Sequence, residues 1–197
     1  MQKKIIGQII FMAIMMSHVA FADIYDLEMN VGSSTLEARF NATLPVEEGF
    51  LTTGIGAIYN EDDYKLADIT LALGKDGVLP GVKFSVGLRG LWGDIDREYQ
   101  DSDLMAAALA FSGKYTAPKS ILPIPVGVSM DLSFAPDPLC FLDSDRYLGF
   151  RTSLDLSIIK GGALILGYRY IKIDFDDSHG KWDMSDDMFF VGYQLRY

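Results

Sequence analysis

The chain has 197 residues, a formal net charge of −10 and a single cysteine, Cys140. That length suits one domain with one core or one closed barrel. The acidity argues against nucleic acid or anionic lipid as an electrostatic partner, and one thiol excludes an internal disulfide.

Lys3 and Lys4 precede an apolar segment, 5–20, that ends in Ala20-Phe21-Ala22, a small-residue cleavage pattern. Residues 1–22 are therefore predicted to be a cleaved secretory signal peptide and 23–197 the exported domain. An uncleaved anchor is the competing reading, although the run is short for a span. A lipoprotein is excluded because Asp23, not a cysteine, stands at the cleavage point. After the leader no apolar run reaches the length of a transmembrane helix, so membrane residence must rest on strands.

From there, apolar and polar residues alternate at period two, the signature of strands with two unlike faces. Tyr25, Leu27, Met29 and Val31 alternate with Asp26, Glu28, Asn30 and Gly32, and Gly32-Ser33-Ser34 offers a tight turn. Leu36, Ala38, Phe40, Ala42 and Leu44 form the next apolar face, ending at Pro45. Leu51 to Tyr59 and Ala67 to Leu73 give two more strands. After the turn at Asp76-Gly77 and Pro80-Gly81 comes a fifth, with Val82, Phe84, Val86, Leu88 and Trp92 on one face. The Ala-rich stretch 104–115 suits helix or strand, with Met105, Leu109, Phe111 and Tyr115 fitting one strand face. Residues 124–134 alternate most clearly, with prolines confined to the flanks. Two strands, 147–158 and 164–170, are joined by Lys160-Gly161-Gly162, and Phe189 to Tyr197 closes the series.

The expectation is an all-β fold, a closed antiparallel transmembrane β-barrel of about ten strands, with eight as the alternative count. With both termini periplasmic, stretches 94–103, 136–145 and 174–187 become long outer loops, and the turns at the other end are expected to be mostly shorter. A soluble lipocalin-like barrel would show the same alternation. The face contents favour the membrane: the apolar faces carry no charged residue within the strands, and Tyr59, Trp92, Tyr115, Phe134, Tyr170 and Tyr197 fall near strand ends as interfacial girdles would. Closure also removes the edges that hydrocarbon cannot satisfy.

The opposite faces hold the candidate lumen charges, among them Glu37, Arg39, Lys83, Arg89, Asp131, Arg151, Asp155, Arg169 and Arg196. Positive and negative charges there nearly balance, so the excess acid belongs to the loops. Two readings of the lumen stand: a paired, hydrogen-bonded plug, or a polar path for small solutes. The acidic loops match no spaced cation motif; solvated loops, or an adhesin-like binding surface, are the alternatives. His179, beside Ser178 and Asp177, is the one histidine beyond the leader and the candidate for a rim enzyme, but adjacent residues on one segment seldom converge. No cofactor or metal is expected, and the chain is expected not to be an enzyme. In the last strand, Tyr193, Leu195 and Tyr197 fit an assembly signal, and the expected partners are outer-membrane lipid and the barrel-assembly machinery.

Gly167-Tyr168-Arg169-Tyr170-Ile171, the acidic Asp174-Phe175-Asp176, the final Val191-Gly192-Tyr193, Leu71-Ala72-Leu73-Gly74 and Ala135-Pro136-Asp137 together resemble the YfaZ family of bacterial outer-membrane proteins. The resemblance covers most of the chain after the leader; Cys140 and the acidic last loop have no counterpart in it. It implies an integral outer-membrane barrel of a Gram-negative bacterium, contributing to envelope structure or limited passage of small solutes, with no catalytic residues to carry over.

Overall fold

Extended backbone sends consecutive side chains to opposite faces, so a period-two sequence becomes a two-faced wall. The computed structural model describes residues 24–197 except 62, 78, 98–99, 119–124 and 178–179. The predicted leader therefore lies outside the described residues, as does His179. The strands are β1 (Ile24–Val31), β2 (Thr35–Val46), β3 (Gly49–Asn60), β4 (Tyr64–Asp76), β5 (Val82–Arg97), β6 (Gln100–Thr116), β7 (Val126–Ala135), β8 (Cys140–Leu142), β9 (Ser144–Ile159), β10 (Gly162–Asp177) and β11 (Gly180–Arg196).

Every pairing is antiparallel. Sequence neighbours pair around the ring, β7 meets β9, and β1 meets β11 with Leu27 opposite Leu195 and Val31 opposite Val191. Tyr25 and Tyr197 extend that seam by exchanging backbone hydrogen bonds of 3.0 and 2.9 Å. The result is a closed antiparallel barrel of ten long strands, as predicted. The eleventh, β8, was not predicted. It follows a 3-10 turn (Asp137–Leu139) and lies beside β6, with Ala106 opposite Cys140, beyond the point where β7 stops. The Ala-rich stretch is strand β6, its helical tendency overridden by pairing with β5 and β7 on either side.

The predicted long acidic loops need correction. Within 94–103, Asp94 pairs with Asp103; within 174–187, Asp174 pairs with Asp183 and Tyr170 with Asp187. These segments are the upper ends of β5, β6, β10 and β11, which run to 16 or 17 residues, whereas β1 to β4 run from 8 to 13. The third stretch, 136–145, holds the 3-10 turn, β8 and the start of β9. The expected contrast in loop length fails too, because the connection from Thr116 to Val126, at the end that carries Ile24 and Tyr197, is among the longest. What differs between the ends is the height of the wall.

Along the tall strands the two faces exchange character. On β4, β5 and β6 the outward residues Ala67, Trp92 and Met105 are neighbours in register, and the next outward set is Lys65, Asp94 and Asp103. On β10 and β11, Tyr168 opposes Phe189 with rings 5.1 Å apart, and beyond them stand Tyr170 with Asp187 and Lys172 with Ser185. Below this level the outer face is apolar and bare: Leu88 is 57% exposed and Val191 56%. Above it the outer face is charged, while Ile95, Leu104, Ile173, Phe175 and Met184 point inward and are buried.

This inversion separates the membrane reading from the soluble one. A soluble barrel keeps its apolar face inside along its whole height, and soluble monomers rarely leave large contiguous apolar surface bare. Here only the far end obeys that rule. The bare belt, bounded on β4 by Lys65 and Lys75, matches the roughly 9 to 11 residues that cross a bilayer obliquely. Tyr59, Trp92, Phe134 and Tyr170 end its apolar runs on the far side, Tyr115 and Tyr197 on the terminal side.

Candidate functional site: a polar chamber under a filled lumen

Ten strands enclose little more than eight, whose interiors side chains can fill, and inward residues here meet across the lumen. At mid-height β1 supplies Glu28, β2 Glu37 and Arg39, β7 Asp131, β9 Arg151, β10 Arg169 and β11 Asp186. Arg151 Nη2 donates to Glu28, which also accepts from Asn30 Nδ2 at 2.6 Å. Arg169 Nη1 lies 3.5 Å from Glu37 Oε2 and Arg169 Nη2 lies 3.2 Å from Asp186 Oδ2. Tyr64 on β4 donates to the same Asp186 oxygen at 2.5 Å and accepts from Arg169 Nη2 at 2.9 Å. Glu28, Glu37, Arg151 and Arg169 are all buried.

The local sequence makes room for this network. In Gly167-Tyr168-Arg169-Tyr170, the tyrosines face outward and Arg169 faces the lumen, leaving Gly167 under the ring of Phe190. A Cβ on Gly167 would sit 2.2 Å from Phe190 Cζ. That ring in turn lies 4.6 Å from the Arg151 guanidinium, over whose cation its face is attractive. Gly192 serves in the same way, since a Cβ there would collide with Asn30.

Toward the far end the lumen is closed by the apolar cluster that includes Tyr64, Leu66, Ile95, Ile173 and Met184, with Phe175 stacked on Trp182 at 4.4 Å. This plug was not foreseen; the predicted plug was polar throughout. Toward the terminal end the lumen widens into a chamber of about 300 Å³, its wall built from short inward side chains such as Thr52, Thr70, Ser112 and Ser129. A second cavity of about 30 Å³, room for one or two waters, lies between chamber and plug. Arg39, Arg89, Asp131 and Arg151 line both and so form the septum between them.

All nine predicted lumen charges face inward, but they separate into levels. Glu37 and Arg169 belong to the buried network, and Arg39, Arg89, Asp131 and Arg151 to the septum. Asp155 takes Lys114 Nζ at 2.6 Å in the chamber wall. Lys83 and Arg196 stand at the mouth, Arg196 with Asp26 at 2.7 Å and Lys83 with Asp76 at 3.6 Å. Sequence reasoning missed Tyr64 and Asp186: Tyr64 follows a turn and Asp186 sits in a stretch of loop-like acidic composition, although alternation through Met184, Asp186 and Met188 marks them as one face. Tyr193, Leu195 and Tyr197 lie on the outward face of β11 and its end. Among the described residues no group of three or more His, Cys, Asp and Glu side chains is arranged to hold a metal ion.

A closed antiparallel ring with a bare apolar belt and a filled lumen is a small transmembrane β-barrel. No family model matches the chain, and no curated protein matches it. Among solved structures the chain is similar to a KdgM porin at 9% identity and a TM-score of 0.43, covering 87% of this chain and 98% of that one. It is also similar to Neisserial surface protein A, at 15% identity and a TM-score of 0.37 over 88% and 94% of the two chains. A third is the Acinetobacter baumannii outer membrane protein Omp33, at 9% identity and a TM-score of 0.36 over 90% and 98%. Likeness at this level of identity and TM-score carries no argument about function.

Proposed function

We propose that the chain is an integral, non-enzymatic β-barrel of the Gram-negative outer membrane, of the YfaZ type, that builds the envelope as a closed wall instead of serving as an open pore. The observation that carries this is the exchange of faces: apolar outside and polar inside through the belt, then charged outside and apolar inside above it. A charge facing lipid at the bilayer midplane costs roughly 2 to 4 kcal/mol, and the belt carries none between Lys65 and Lys75 on β4. The plug supports closure, because an ion crossing the lumen would have to displace Ile173, Phe175 and Met184, which are at most 1% exposed.

In this reading the terminal end faces the periplasm and the charged far end faces outward. The YfaZ kinship rests on the Gly167-Tyr168-Arg169-Tyr170 strand and the final Val191-Gly192-Tyr193. Outer-membrane lipid meets the belt, and the barrel-assembly machinery takes β11, offering Tyr193, Leu195 and Tyr197, as the strand that closes the ring. The test has two parts. Protein from outer-membrane fractions is expected to shift in gel mobility on heating; recovery as a soluble periplasmic protein would overturn the membrane assignment. In planar bilayers the folded protein is expected to give no stable conductance steps, and reproducible steps absent from an unfolded control would replace the closed wall with a pore.

A further inference from the structure

We propose that the chamber at the terminal end is a binding site for the oxyanion group, carboxylate or phosphate, of a small polar solute, seated against Arg39 and Arg89. Three features of the septum converge on this. First, it is one-sided in charge. Among the described residues, Arg39, Arg89 and Arg151 share it with one carboxylate, Asp131; Glu28, in the chamber wall, is taken by Arg151, and Glu37 and Asp68 line only the small cavity behind it. The cations thus lie between the chamber and those two carboxylates, and the nearest charges dominate the field an entering group meets.

Second, among the described residues Arg39 and Arg89 are not saturated. Arg39 Nε lies 3.8 Å from Glu37 and Arg39 Nη1 lies 3.7 Å from Asp131, beyond direct hydrogen-bond reach. Arg89 turns its Nε to Asp68 at 3.3 Å and Thr70 Oγ1 at 3.2 Å. A guanidinium has five donors in a fork that fits two oxygens of one anion. Lys114 and Arg196, by contrast, hold their carboxylates at 2.6 and 2.7 Å and compete less for a ligand.

Third, the chamber is open, hydroxyl-lined and blind. Arg196 and Lys83 at its mouth are 47% and 55% exposed, its volume is about 300 Å³, the lower end of the range for small-molecule sites, and the septum and plug close its other end. Among the described residues, six basic and four acidic side chains line it, a positive balance inside an acidic chain. The proposal rests on the closed-wall reading for its blind end, and on the terminal end facing water for its entrance.

The test is equilibrium dialysis of radiolabelled inorganic phosphate against the chain without its leader, folded in detergent micelles. One saturable site per chain is expected. Arg39→Gln is expected to weaken binding at least tenfold, as is Thr52→Phe, which fills the chamber from an uncharged wall residue; Lys181→Gln, at the far end, should leave it unchanged. Folding of each variant is read from heat-modifiable gel mobility. Non-saturable binding, undiminished binding in either folded variant, or equal loss in Lys181→Gln overturns the site. Acetate and methyl phosphate then compete: displacement by either supports the site, their order naming carboxylate or phosphate, and displacement by neither overturns it. Conductance separates the two readings. A barrel that conducts yet binds phosphate refutes the closed wall alone, and one that neither conducts nor binds refutes the chamber alone.

Discussion

Arg169 Nη2 donates to Tyr64 Oη at 2.9 Å, although the two side chains spring from β10 and β4, five strands apart in a ten-stranded ring. Arg39 on β2 and Asp131 on β7, likewise five apart, approach to 3.7 Å. The lumen is therefore spanned by single side-chain contacts, and its charges brace opposite walls.

Arg169→Met is expected to lower stability by about 3–5 kcal/mol, because it removes the cation that Glu37 Oε2 and Asp186 share and leaves the buried Glu37 only the more distant Arg39 and Arg151, each 3.8 Å away. Urea unfolding of the protein in lipid vesicles measures it. Glu37→Gln in the same chain should recover part of the loss; a loss under about 1 kcal/mol in the single variant would mean that water replaces the guanidinium.

The belt predicts a contrast between two outward positions. Leu88→Arg should cost about 2–4 kcal/mol and reduce assembly into vesicles, whereas Ser185→Arg, above the change of face, should cost little. Equal effects at both positions would remove the argument for where the bilayer lies.

Gly167→Ala places a methyl 2.2 Å from Phe190 Cζ and 2.7 Å from the Thr152 carbonyl oxygen. Overpacking of this kind costs roughly 1–3 kcal/mol. Phe190→Leu should relieve part of it when combined with Gly167→Ala, and strict additivity in a double-mutant cycle would show that the ring is not the obstacle.

Stability should fall on the alkaline side. Burial pushes the Tyr64 and Tyr147 phenols above their ordinary range, with Arg169 and Arg89 respectively opposing, and burial also raises the Cys140 thiol. A raised folded pKa means that the native state holds its proton more tightly than the unfolded chain. This contribution is complete below the unfolded values, near 8.5 for a thiol and 10 for a phenol, and is lost as pH rises through the folded ones. Urea midpoints measured at rising pH should decline from about pH 9 upward, less steeply in Tyr147→Phe; a flat profile would contradict the buried phenols.

Much of the wall was legible because period-two alternation is local and each strand carries it whole, from Tyr25-Val31 to Phe189-Tyr197. The far end was misread for a physical reason. Charged residues such as Asp94, Asp96, Asp174 and Asp176 resemble loop composition, yet they alternate with Ile95, Ile173 and Phe175, so the period persists while the faces trade places. β8 is too short to show any period. The network itself was half legible: inward orientation follows from alternation, but which arginine meets which carboxylate depends on the diameter and stagger of the ring. Tyr64 and Asp186 lie 122 residues apart and no local pattern pairs them.

β1 is 8 residues long and β11 is 17, and their pairing stops at Val31 with Val191. Among the described residues no strand borders that side of β11 beyond this point, so its backbone donors and acceptors there face water as a template for a foreign strand. The residues that project from the same stretch are Lys181, Asp183, Ser185 and Asp187. Two neighbouring barrels that joined side by side along these free margins would bring like acids, Asp183 and Asp187, together, a charge penalty on edge-to-edge pairing.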